Sequence, residues 1–382
     1  MRKLKIAQVA NIWQSIPPNG YGGTEKIIYQ LCEGLSKKGH DVSLFATGDS
    51  KTKSQLHYSI KKRLIGNNIS WNNYLFSLSH FLQSYDLIMR KGNFDIIHGH
   101  YSLASDLISL SLANFQKTPS IFTLHYTVPT HKQYSDRKII FDYLKDMNFV
   151  SISNNQRQKP LHYVATVYHG LDIDKTPFTS EPKGNSIFWL GRIVPEKGLD
   201  YALEVAKRLN KNIVVAGRID KESKKNFEYY NNKIKDELKS PRVKFYENSN
   251  TKQNNNLFLD NKCFIFPIKW QEPFGLVLIE SMACGMPVVA FASGSVPEII
   301  KDGVTGFLVN FDEKHKTGNW IIKKTGIEGL CEAMKKIYAL NYEQYQVMRY
   351  TCRAHIKENF TTKIMIEKYE KIYRTIVNLK NR

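Results

Sequence analysis

Twelve short apolar bursts, separated by helical patterns and turns, run along the chain in two sets of six, and they limit its fold more than any other feature. The first half carries KIAQVA, DVSLFA, FDIIHGH, SIFTLHY, NFVSISN and ATVYHG, and the second carries SIFWLG, NIVVAG, VKFYE, CFIFPI, PVVAF and GFLV. Short apolar runs rich in Val, Ile and Phe suit strands buried on both faces, and their alternation with helices gives parallel α/β sheets. The chain has 382 residues, more than one core usually supports, so two Rossmann-like domains are expected. Their join falls in Leu171 to Asn185, where LDIDKTPFTSEPKGN is polar, carries two prolines and keeps no period. The expected domains are 1–175 and 185–358. In 359–382, Ile364, Ile366, Tyr369, Ile372 and Tyr373 stand at helical spacing and predict a closing helix.

Chemistry concentrates in Glu272-Pro-Phe-Gly-Leu-Val-Leu-Ile-Glu280, where two carboxylates stand eight positions apart around a helix start. Pro273 suits a first helical turn, and the backbone N–H groups of Phe274, Gly275, Leu276 and Val277 would then point outward as anion donors. At ~1.5 Å per residue the carboxylates are at most about 12 Å apart along the axis, roughly the reach from sugar to ribose in a sugar nucleotide. The stretch reads as one cradle, with the sugar at Glu272, the diphosphate at the helix start and the ribose at Glu280. Further along the second half, GRIVPEKG places Arg192 and Lys197 on a loop after the first strand of the second domain, free to converge on one anion.

These segments, with YGGTE at 21–25, GSVPEII at 294–300 and DGVTGFLV at 302–309, resemble in order the motifs of retaining glycosyltransferases of family 4 and their Glu-X7-Glu signature. The resemblance spans nearly the whole chain. It implies the GT-B fold, an α/β architecture of two Rossmann-like domains facing across a cleft. The N-terminal domain would bind the acceptor, the C-terminal domain the nucleotide sugar, and the final helix would cross back to the N-terminal domain. It further implies that Arg192 and Lys197 bind the diphosphate and that His125, ending SIFTLHY, contacts the donor sugar. The glycine loop with Gly22 and Gly23 would face the donor phosphates and the acceptor. The implied reaction is front-face hexosyl transfer with retention, completed as the domains close. UDP-glucose is the first expectation for the donor and GDP-mannose the second. No cofactor and no metal are expected, and the acceptor is unknown: a sugar, a lipid-linked molecule or another small molecule.

The residues themselves also bear on other functions. The glycine loop is not GxGxxG with an acid about 20 residues on, so a dinucleotide dehydrogenase fits poorly. Nothing resembles a phosphorylase's pyridoxal lysine. A sugar-nucleotide epimerase of the same architecture remains an alternative, as does a GDP-mannose-dependent mannosyltransferase. Asp172-Ile173-Asp174 spells the DxD pattern of a different glycosyltransferase fold, but it falls in the expected linker. His98, His100 and His169 also stand at strand ends and read as structural histidines. Glu298 reads either as a nucleotide neighbour or as a helix cap.

The net charge of +20 first suggests nucleic acid. However, residues 1–178 hold 21 Lys and Arg against 12 Asp and Glu, and 179–382 hold 34 against 23, an even spread with no basic stripe. Anionic substrates or an anionic membrane surface account for the charge equally well. Trp71, Tyr74, Leu75, Leu78, Phe81, Leu82, Tyr85 and Ile88 form a helical stripe behind Lys61-Lys62-Arg63. Packing on the acceptor domain is the expected use of that stripe, with a peripheral membrane contact as the alternative. No run of 18 apolar residues and no cleavable signal precede or interrupt the pattern. Five cysteines without a CxxC pair suit a reducing compartment, so a cytoplasmic protein is expected.

Overall fold

A computed structural model describes residues 2–18, 20, 22–67, 69–129, 135–157 and 159–380. The chain divides into two units, Met1–Gly170 with Thr362–Arg382, and Leu171–Thr361.

In the first unit β1 (Lys5–Val9), α1 (Gly23–Lys37), β2 (Asp41–Phe45), β3 (Gln55–His57), α2 (Leu75–Lys91), β4 (Ile96–Tyr101), α3 (Asp106–Ala113), β5 (Ser120–Leu124), α4 (Ser135–Tyr143), β6 (Asn148–Ser151) and β7 (Tyr163–Thr166) follow in order. The strands form one parallel sheet in the order β3-β2-β1-β4-β5-β6-β7. The order reverses between β1 and β4, and ligands of open α/β sheets bind beyond the carboxyl ends of strands at such a switch. Ala7, Ile97, Phe122, Leu124 and Phe149 from the strands meet Phe81, Tyr85, Leu110 and Phe141 from the helices in one buried cluster.

The second unit contains β8 (Ile187–Ile193), α5 (Leu199–Arg208), β9 (Ile213–Ile219), α6 (Lys224–Tyr229), β10 (Val243–Glu247), α7 (Thr251–Asp260), β11 (Cys263–Phe266), α8 (Leu276–Ala283), β12 (Val288–Phe291), α9 (Val296–Ile299), β13 (Gly306–Val309), α10 (Gly326–Ala339) and α11 (Tyr342–Asn359). Its parallel sheet runs β10-β9-β8-β11-β12-β13, with the switch between β8 and β11. The last helix, α12 (Thr362–Lys380), belongs to the first unit. There Tyr373 accepts a hydrogen bond from Gln8 of β1 at 3.1 Å, and Glu370 pairs with Lys38 at 2.8 Å.

Three expectations are corrected. The first sheet has a seventh strand, β3, whose three residues QLH are partly exposed at the sheet edge and offer no apolar burst. Helix α8 begins at Leu276 rather than at Pro273, because Gly275 takes φ +88° as its N-cap. The aromatic and aliphatic stripe divides, with Phe81, Tyr85 and Ile88 buried while Trp71, Tyr74, Leu75, Leu78 and Leu82 are exposed. Trp71 and Tyr74 precede the helix, which starts at Leu75.

Candidate active site

In the second unit the switch places two loops side by side, the one leaving β8 and the one leaving β11. Arg192 is the penultimate residue of β8, and its guanidinium lies 3.9 Å from Asp220 beyond β9. The chain then makes a short 3-10 turn over Pro195–Lys197, in which the Lys197 N–H donates to Val194 at 3.1 Å. The Trp189 indole N–H donates to the Lys197 carbonyl at 3.2 Å and fixes the turn from below. Lys197 Nζ thereby reaches Glu272 Oε2 at 2.8 Å, and Trp270 Nε1 donates to the same oxygen at 3.0 Å. Glu272 is 9% exposed. Both bonds fall on Oε2; a carboxylate has a second oxygen that can also accept.

The loop carrying Glu272 is held from behind by the segment after β12. The Ser295 N–H donates to the Glu272 carbonyl at 2.9 Å, Ser293 Oγ to Trp270 at 2.6 Å and Ser295 Oγ to Phe274 at 2.8 Å. Gly294, at φ +65°, is required here: a Cβ would stand 2.3 Å from the Glu272 carbonyl oxygen. This is the role of GSVPEII that its residue types did not announce. Glu298 sits half-buried in the first turn of α9.

Among the described residues no side chain caps α8, whose Leu278 N–H donates to the Gly275 carbonyl at 2.9 Å, so the start of the helix presents its dipole without a side-chain acceptor, while Glu280 lies half-buried one turn further along. The other end of α8 is anchored. Arg353 donates to the Ala283 carbonyl at 2.7 Å and buried Arg349 to the Cys284 carbonyl at 3.2 Å, cations where the helix dipole favours them. The second unit therefore gathers Lys197, Glu272 and the α8 N-terminus at its switch point, with Arg192 at the strand end beside them. Asp172 lies elsewhere, paired with Lys175 at 2.8 Å beside a 3-10 turn.

The first unit collects a different chemistry beyond its own switch. Gln8 of β1, His98 and His100 of β4, and Thr123 and His125 at the end of β5 join His169 and two tyrosines of α12. His100 Nε2 meets Gln8 Oε1 at 3.0 Å, so that nitrogen carries the proton and Nδ1 accepts from His125 Nε2 at 3.0 Å. His125 Nδ1 in turn accepts from His169 Nε2 at 3.3 Å. His98 bonds Tyr373 and Thr123, each at 2.7 Å. Burial, then the neighbouring imidazoles, hold His98, His100 and His125 well below the usual histidine range, and burial alone lowers His169 to about 3. The chain is neutral and directional, and His125 is its half-buried member.

The glycine loop borders the same sheet end. Gly22 is the N-cap of α1, with Pro18 and the Glu25 carboxylate packed so closely that a Cβ would lie 2.7 Å and 2.9 Å from them. Gly23 opens the helix; Tyr21 of the motif lies outside the described residues. Burial raises the Glu25 carboxyl, against its own backbone N–H and Asn11. Asp106, raised to about 7 by burial, accepts from the backbone of Ser102 and Leu103 at 2.7 and 2.9 Å. Gln8, Trp270 and Asp106 carried no sequence signal that set them apart, whereas Glu25 closes the YGGTE motif.

Comparison with known proteins agrees with this division. Residues 21–157 match the model of Glycosyltransferase Family 4, and residues 172–336 match that of Glycosyl transferases group 1. O-antigen chain mannosyltransferase C of Escherichia coli is 22% identical over 98% of this chain and 100% of its own. The solved structure of sucrose-phosphate synthase from Thermosynechococcus elongatus has a TM-score of 0.79 at 17% identity, covering 99% of this chain and 100% of that one. Anabaena Alr3699/HepE in complex with UDP and glucose has a TM-score of 0.72 at 16% identity, covering 97% and 100%. With both units matched, one family model to each, the chain belongs to the glycosyltransferases, Family 4 in its first unit and group 1 in its second, on the two-domain GT-B fold.

Proposed function

We propose that the chain is a retaining, metal-independent hexosyltransferase that binds a nucleoside diphosphate sugar in its second unit, with UDP-glucose as the first candidate donor and GDP-mannose as the second. The observation that carries this reading is the Lys197–Glu272 contact of 2.8 Å beside the uncapped start of α8 at the sheet's switch point. An anion and a polyhydroxyl group bound side by side need such a pairing. The diphosphate lies against the α8 N–H groups, Arg192 and Lys197, and the Gly275 to Val277 backbone approaches it closely. Lys197 then exchanges part of its bond to Glu272 for phosphate oxygen, and Glu272 accepts sugar hydroxyls. Glu280 accepts the ribose hydroxyls. Support for a uridine donor is the resemblance of the sequence and the likeness to HepE, solved with UDP and glucose.

The acceptor belongs to the first unit on this reading, with Gly22 and Gly23 giving room at the backbone and His125 offered to the sugar. The acceptor oxygen bonds to the anomeric carbon on the face from which the phosphate oxygen departs, and the acceptor's proton passes to that phosphate oxygen. Arg192, Lys197 and the helix N-terminus carry the charge that grows on the leaving group, the part a divalent ion plays elsewhere. The test is a screen of radiolabelled UDP-glucose and GDP-mannose against cell extract with and without EDTA, followed by proton NMR of the first-formed product. An α-linked product made equally well in EDTA is expected; a β-linked product, or activity abolished by EDTA and restored by magnesium, overturns it.

A further inference from the structure

We propose that the exposed apolar face at the start of α2, together with the basic segment beside it, docks the protein on an anionic lipid surface. Helix α2 buries one face through Ser77, His80, Phe81, Ser84, Tyr85 and Ile88. A second line along it, Leu75, Leu78, Leu82 and Met89, is 73%, 38%, 48% and 64% exposed. Aromatic Trp71, Tyr74 and Phe76 extend this line around the helix start. Of the twenty large apolar side chains exposed among the described residues, eight lie between Tyr58 and Met89. Such concentration marks a contact surface rather than scattered exposure.

Charge identifies what the surface meets. Between Lys51 and Lys91 the sequence has seven Lys and Arg against a single Asp. Arg63 pairs with Asp49, and Arg90 with Asp86. Lys51, Lys53, Lys61, Lys62 and Lys91 have no acidic partner among the described residues. The basic segment runs alongside the helix, because Ser59 bonds His80 at 3.0 Å and His57 meets Lys91 at 3.3 Å. Ile60 packs with Ile12 and Trp13, and Trp13 stacks on Trp71 at 3.9 Å. Protein interfaces exclude lysine from their cores, whereas aliphatic side chains flanked by Trp, Tyr and lysines are the composition of a helix lying in a headgroup layer.

His80 Nε2, on the buried face of α2, also bonds the carbonyl of Ala10 at 3.1 Å, so the helix that presents the exposed line is packed at the carboxyl end of β1. The docking itself does not rest on the glycosyltransferase reading, since it is measured without turnover. Purified full-length protein is sedimented with vesicles of phosphatidylglycerol and phosphatidylcholine, and with phosphatidylcholine alone. Binding to the anionic vesicles, weakened by salt, is expected. Lys61→Glu with Lys62→Glu should weaken it roughly tenfold or more, and Leu75→Ser with Leu78→Ser and Leu82→Ser about a hundredfold. These side chains are exposed, so circular dichroism should report unchanged folding. No binding by the unaltered protein, equal binding to both vesicles, or undiminished binding by the triple Leu variant overturns the proposal. So does a dimer, seen by analytical ultracentrifugation, that the Leu substitutions abolish while vesicles go unbound.

Discussion

Beyond the first sheet four imidazoles, three buried and His125 half-buried, have their charge suppressed, whereas beyond the second a lysine and a glutamate face each other at 2.8 Å. Both clusters stand at equivalent topological positions, the switch of a parallel doubly wound sheet. They differ in what desolvation is used for. His100, His125 and His169 satisfy one another by neutral hydrogen bonds, His98 is bonded to Tyr373 and Thr123, and none of the four can take a second proton without loss. The Lys197–Glu272 pair is partly open, and on the proposed reading Lys197 can be handed to an anion and Glu272 to hydroxyl donors. The first unit is therefore the one that pH should damage, and the second the one that charge removal should disable.

Acid should produce the largest effect. A histidine whose folded pKa is lowered binds fewer protons folded than unfolded, so its contribution is complete above the unfolded value of about 6.5 and is lost as pH falls below it. His80, lowered to about 4 by burial, joins His98, His100, His125 and His169 in this class. Each can contribute up to about 1.4 kcal/mol per pH unit below 6.5, so half that amount summed over the five still reaches several kcal/mol by pH 5. Urea midpoints between pH 7.5 and about 5, followed by a probe in each unit, should show the first unit failing early. Equal losses in the two units would remove the contrast.

Lys197→Ala comes next, and acts on turnover more than on folding. On the proposed reading it removes one of the cations that would face the leaving group, and it is expected to lower kcat by about 10²–10³, or 3–4 kcal/mol. The turn itself is held by backbone bonds that the substitution keeps, so the protein should still fold, with a lower urea midpoint from the lost partner of Glu272. Glu280→Ala is smaller: loss of charge-assisted bonds to the ribose should weaken donor binding by about 1.5–3 kcal/mol, raising KM more than it lowers kcat. Calorimetric titration with UDP and with UDP-glucose separates the two, and unchanged affinity for both would take Glu280 out of the site.

The same contrast governs what could be read from the sequence. The bursts locate twelve of the thirteen strands, because buried parallel strands need continuous apolar runs. The thirteenth, β3, sits at an edge where no such run is required. Lys197, Glu272 and Glu280 were legible because short loops and one helix set their spacing. The imidazole chain was not, since it depends on register: β4 and β5 pair Gly99 with Phe122 and His100 with Thr123, which brings residues 25 apart into contact. Strand pairing of that kind leaves no periodicity along the chain. Trp270 was equally silent, its indole reaching Glu272 through a loop with no repeat.

Asp106 offers the smallest and most pointed test, because its shift has the opposite sign to that of the histidines of the same unit. Its Oδ2 accepts from the backbone of Ser102 and Leu103 and from Ser102 Oγ at 3.1 Å, whereas buried Oδ1 has no hydrogen-bond partner among the described residues. Burial raises the carboxyl to about 7. A carboxyl raised in the fold binds more protons folded than unfolded, so its contribution is complete below the unfolded value near 3.9 and declines as pH rises through 7. Asp106→Asn keeps an oxygen for the three donors and removes the titration. Its stability should lie within about 1 kcal/mol of the unaltered protein at pH 6 and exceed it by roughly 1–2 kcal/mol at pH 8, the gain of no longer burying a charge. Urea midpoints at the two pH values decide it. A variant less stable by the same margin at both would show that Asp106 is ionised throughout, held by its backbone donors and the start of α3, and burial would then no longer set the chemistry of this end of the first sheet.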